Sequence, residues 1–109
     1  MDTTFRDDVK AILDEMLGDV PGITIGKAFG FPAYKTGKKV FAFIGDKGVA
    51  IKLPAARVKA LIAEDEAMQP FEPVEGKIWR EWVSIDRAKA DDYQNDRVLF
   101  DEAIAFVTA

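Results

Sequence analysis

Apolar residues near the start of the chain fall at Phe5, Val9, Ile12, Leu13, Met16 and Leu17, a three-and-four spacing that draws one stripe along an α-helix running from Thr4. Asp2 and Thr3 are suited to cap its first turn and Gly18 to close it. The period then changes. After the turn residues Val20-Pro21-Gly22, the stretch Ile23 to Phe29 alternates and carries β-branched side chains, which predicts a strand with Gly26 as a candidate bulge. Gly30-Phe31-Pro32 is expected to interrupt it, because proline brings no ladder donor, and Lys35-Thr36-Gly37-Lys38 reads as a tight turn. Val40 to Ile44 and Val49 to Leu53, set around Gly45-Asp46-Lys47-Gly48, give the clearest hairpin signal in the chain.

In the second strand of that hairpin Val49, Ile51 and Leu53 share one face, and Ala50 and Lys52 the other, so helices should cover the first. Pro54 suits the opening of a helix whose stripe is Val58, Leu61 and Ile62 and which ends near Ala63. The acids Glu64-Asp65-Glu66 oppose the helix dipole there. Met68 to Phe71 predicts a short strand, Pro73 to Gly76 a turn, and Ile78 to Ile85 a longer strand. Tyr93, Phe100, Ala103, Ile104 and Val107 mark a final amphipathic helix. The predicted order is α-β-β-β-α-β-β-α: an α+β fold in two layers, a five-stranded antiparallel sheet with helices, forming one domain over residues 1–109.

With 49% apolar and 31% charged residues, the chain is neither a disordered segment nor a membrane span. Its start, MDTTFRDDVK, lacks the apolar run of a secretory signal, so a cytoplasmic setting is expected, and zero cysteines agree with a reducing compartment. Histidine is absent as well. A Ser-His, Cys-His or zinc-histidine mechanism therefore has no parts to build from. The acid groups Asp7/Asp8, Glu64/Asp65/Glu66 and Asp91/Asp92 are neighbours that diverge on a helix, and they read better as solvated helix ends than as metal ligands. Lys27 and Lys52 read as snorkelling strand-end lysines. No enzyme, cofactor or metal is expected; an enzyme would need a pocket that gathers residues such as Lys27, Arg80 and Glu81.

The stretch Lys27-Ala28-Phe29-Gly30-Phe31-Pro32-Ala33-Tyr34-Lys35, followed by Lys39-Val40-Phe41-Ala42-Phe43 and Val49-Ala50-Ile51-Lys52-Leu53, resembles the N-terminal domain of the TfoX/Sxy family. Lys77-Ile78-Trp79-Arg80-Glu81-Trp82-Val83 is equally similar to the tryptophan-bearing strand of the YjbR/MmcQ family, which shares that topology. The resemblance implies an α-β(3)-α-β(2)-α fold with one antiparallel sheet. It transfers no catalytic or binding residue, since the matched positions are glycines, turn residues and packing aromatics.

Charge is uneven along the chain. From Lys27 to Lys59 there are eight basic residues against one acid, Asp46, a local +7 that leaves −11 for the remainder of a chain whose net charge is −4. Lys35, Lys38, Lys39 and Lys47 are therefore candidate contacts for an anion, while lysines that shield sheet edges are the plainer reading. Nucleic acid is the weaker expectation for an acidic chain of this kind. Trp79 and Trp82, three apart, should face opposite ways in a regular strand. Phe29, Phe31, Tyr34, Trp79 and Trp82 are the candidate ligand or interface surface. The expectation is a small binding or protein-interaction module, with a second copy of itself or another protein as its partner. The alternative is a regulatory domain that meets nucleic acid or another anion through Lys35 to Lys59.

Overall fold

A computed structural model describes residues 5–45 and 48–109 of the protein. Asp2 and Thr3, expected as helix caps, and Lys47, expected as an anion contact, lie outside the described residues. The chain forms α1 (Asp7–Gly18), β1 (Ile23–Ala28), β2 (Phe31–Thr36), β3 (Lys39–Gly45), β4 (Gly48–Lys52), α2 (Ala55–Glu64), β5 (Met68–Val74), β6 (Lys77–Ile85), a 3-10 helix (Ala90–Asp96) and α3 (Arg97–Thr108). All six strands join one antiparallel sheet in the order β1-β2-β3-β4-β6-β5.

The sheet has six strands rather than five because Phe31 to Thr36 pairs with both of its neighbours. Pro32 does not break it. Pro32 faces Lys27 on β1, whereas pairing with β3 starts only at Ala33, so proline occupies a strand end with a neighbour on one side. Pro70 sits in β5, the opposite edge of the sheet, where prolines and two register shifts blunt the strand against further pairing. The Gly30-Phe31-Pro32 segment is thus a turn into a strand, with four strands between α1 and α2 where the family resemblance implies three.

Side-chain alternation decides which layer lies where. Ile25, Tyr34, Ala42, Ile51 and Val83 stand opposite one another across five strands and form one row on a single face. Onto that face pack Leu13 and Leu17 of α1, Val58 and Leu61 of α2, and Phe100 and Ala103 of α3, all buried. Each of the larger of these side chains removed from water contributes about 1.5–3 kcal/mol, which is what holds the helices to the sheet. A separate cluster built on Ala33, Phe43, Ala50 and Trp82 occupies the other face, and among the described residues no helical one belongs to it.

Polar ties fasten the ends. The Arg87 guanidinium donates to both carboxylate oxygens of the buried Asp96, at 2.7 and 3.1 Å, and lies 3.0 Å from Asp65, which joins the end of β6 to the 3-10 helix and to the α2–β5 turn. These carboxylates, Asp96 foremost, raise the Arg87 pKa above its ordinary value. The Tyr93 hydroxyl donates to the Ile85 carbonyl and accepts from the Arg87 amide. Burial raises this phenol's pKa. Tyr93 therefore belongs to the 3-10 helix, and the regular part of the last helix begins at Arg97.

Candidate functional site

The open face of the sheet gathers most of the aromatic residues singled out in the sequence. Phe43 is at its centre, with ring centroids 5.2 Å from Phe29, 6.2 Å from Phe31, 5.3 Å from Phe71 and 5.3 Å from Trp82. Trp79 closes the group, 5.5 Å from Phe29, 5.4 Å from Phe71 and 6.3 Å from Trp82. Tilted and edge-on geometries dominate, the arrangements that ring quadrupoles favour.

Trp79 and Trp82 share this face instead of opposing one another. The register explains it: Pro70 is opposite Val83, but the next residue of β5, Phe71, is opposite Trp79, so three residues of β6 bulge between these two pairs. A bulge resets the alternation and brings both indoles to the same side. A second irregularity, between Tyr34 and Lys35 on the β2–β3 pair, lets Phe41 turn into the helix-side core while Val40 and Phe43 stay on the open face.

Tyr34 does not belong to this surface. It is fully buried on the helix side, where its hydroxyl donates to Asp14 Oδ1 at 2.8 Å. Burial, and then the Asp14 carboxylate, push its pKa well above the ordinary phenol value. The other oxygen of Asp14 accepts from Lys10 Nζ at 2.6 Å. That constellation ties α1 to β2 and is a structural link.

Phe29 is the unusual member. It stands at the tip of the β1–β2 turn, 60% exposed, with φ 56°, and is followed by Gly30 at φ 81°. Two successive positive-φ residues make the mirror-image turn that suits the twist of a hairpin, and Asn-Gly is its favoured sequence. A bulky aromatic there is strained by about 1–3 kcal/mol. No other described residue except glycine has positive φ.

Beside this cluster runs a groove of about 580 Å³, walled by Phe29, Trp79 and Trp82 and by Phe106 and Val107 of α3, and rimmed by Lys39, Lys52 and Glu81. Lys52 Nζ lies 6.0 Å from the centre of the Trp82 ring. Neither lysine has a carboxylate within 4.0 Å among the described residues. Lys38 is exposed on the β2–β3 turn and Lys35 half-buried on β2, and neither lines the groove.

Compared with protein-family models, curated proteins and solved structures, the chain finds no match.

Lys27 and Arg80 do not join Glu81 in the groove. Among the described residues no group of three or more acidic side chains is placed to hold a metal ion. Likewise among the described residues, no helix is long and apolar enough to cross a membrane. A second cavity of about 470 Å³ lies on the helical side and includes Glu15, Asp19, Gln94 and Arg97.

Sequence reasoning did not single out Phe43 or Phe71 as part of the surface. The signal for Phe43 was present: it pairs with Ala50, which the β4 alternation already assigns to the face opposite Val49 and Ile51. Phe71 had no such signal, because its neighbours across the sheet depend on the β6 bulge.

Proposed function

We propose that this chain is a non-catalytic binding module and that the open aromatic face of the sheet, with its groove, is where it meets its ligand. The observation that supports this is Phe29. The turn would form with less strain from Asn-Gly, so the aromatic side chain is not there for the turn; it is held over the groove against Phe43 and Trp79. The ionisable groups with the largest upward shifts are Tyr34, raised by burial and its bond to Asp14, and Arg87, raised by its bonds to Asp96 and Asp65 against the opposing effect of burial, and neither lines the groove. A cytoplasmic setting and kinship with TfoX-type or YjbR-type domains are part of the same proposal, the first resting on cysteine usage and the second on the quoted motifs.

The test is Phe29→Asn. Relief of the backbone strain offsets the loss of two aromatic contacts, each about 0.5–1.5 kcal/mol, so stability should stay within about 1 kcal/mol of the parent. Binding should not survive. In an amide NMR screen of aromatic fragments, shifts in the parent should fall on the open-face residues of β3, β4 and β6 and vanish in Phe29→Asn. Shifts confined to the helical cavity at Glu15, Asp19 and Arg97 would refute the assignment. Self-association through the same face is the alternative occupant. A dimer in light scattering that dissociates on Phe29→Asn would place a second copy there.

A further inference from the structure

Resting on that reading, we infer the class of ligand: a small planar aromatic molecule bearing one acidic group, its ring against Phe29, Trp79 and Trp82 and its carboxylate or phosphate on Lys39 and Lys52. The groove, about 580 Å³, has the size of a small-molecule site, with an aromatic wall and a rim of charged groups that fix orientation. Phe29, Trp79 and Trp82, with Phe106 of α3, provide the aromatic wall, and aromatic ligands gain from tilted and edge-on contacts of the kind the first three rings already make with one another.

The polar groups select charge. Two ammonium groups without carboxylate partners among the described residues face one acid, Glu81, so the rim carries a single net positive charge. Lys52, beside the Trp82 ring, can meet an anion attached to a ring that stacks on the same tryptophan. One net charge suits a small anion. A nucleic-acid strand would need a continuous cationic track, and it would approach a protein of net charge −4 whose rim already holds a carboxylate. Glu81 is left to accept a hydrogen bond from an amine or N–H of the ligand, which further excludes a bare polyanion.

The chain has two tryptophans and both line the groove, so its tryptophan emission reports on this site. The probes are benzoate and adenosine 5′-monophosphate as ring anions, benzamide and adenosine as their neutral counterparts, inorganic phosphate as charge without a ring, and a short thymidine oligonucleotide. Saturable quenching is expected with at least one ring anion, with its neutral counterpart about tenfold weaker and phosphate inert. Lys52→Met and Lys39→Met should each weaken the anion about fivefold and leave the neutral counterpart unchanged, whereas Glu81→Gln should tighten the anion. The opposite sign of the Glu81 variant keeps the test valid if one lysine variant folds poorly.

Equal affinity for anion and neutral ring would overturn the charge assignment. Tighter, salt-sensitive binding of the oligonucleotide than of the mononucleotide would replace the small ligand by a strand. If no probe alters the emission while Phe29→Asn still abolishes the fragment shifts, the ligand class is wrong and the open-face reading stands. If both experiments are silent, both fail.

Discussion

Replacing Gly48 with alanine tests how closely β4 is seated on β6, the pairing that places Lys52 beside Trp82. Gly48 has φ 126°, and a Cβ built there would meet the Ile85 carbonyl oxygen at 2.3 Å, with Ile85 C at 3.0 Å and Asp86 Cα at 3.1 Å. All three are backbone atoms, so no side-chain rotation relieves the clash. The strained backbone costs about 1–3 kcal/mol for a side-chain-bearing residue. Prising the strands apart at this end adds about 1 kcal/mol for a weakened ladder bond. Together these give about 3 kcal/mol. Gly37 is the control: its φ is also positive, at 62°, but nothing lies within 4 Å of its Cβ position, so alanine there meets only the left-handed backbone penalty, about 1 kcal/mol.

Urea unfolding followed by tryptophan emission reads the difference. For a small domain with a slope of about 2 kcal/mol/M, Gly48→Ala should lower the midpoint by about 1.5 M and Gly37→Ala by about 0.5 M. Equal midpoints for the two variants would show that β4 and β6 separate without penalty. The close-approach reasoning, and with it the fixed position of Lys52 over the indole, would then be wrong.

Two further outcomes are expected. Asp96→Ala and Arg87→Met should each lower stability by about 2–4 kcal/mol, since each leaves a poorly solvated charge without its bidentate partner. The double variant should recover part of that loss, and a coupling energy in the cycle below about 0.5 kcal/mol would contradict the link. Stability should also fall in alkali. Tyr34 and Tyr93 both titrate above the ordinary phenol value of 10.0 in the folded chain, so the folded state holds protons that the unfolded state releases. Their contribution is complete below about pH 10 and declines as pH rises past it. Urea midpoints measured across this range should show the decline, and Tyr34→Phe should make it shallower; an unchanged slope would refute the assignment.

Much of this protein is set by local pattern. Leu13 and Leu17 face inward because the stripe from Phe5 to Leu17 has helical period, and Val49 and Ile51 face the helices because strand residues alternate. The absence of histidine and cysteine limits the chemistry regardless of fold. Tertiary structure decided the rest, and it did so at irregularities. Pro32 is acceptable in β2 only because the neighbouring strand begins its pairing one residue later. Trp79 and Trp82 share a face only because a bulge in β6 adds residues that Phe71 does not match. Tyr34 left the candidate surface because the register of β2 turned it toward Asp14. A one-residue change in register moves a side chain to the other side of a sheet, and register is fixed by contacts between strands distant in sequence. The aromatic groove is therefore a property of how strands meet, whereas the residues that build it were present in the chain from the outset.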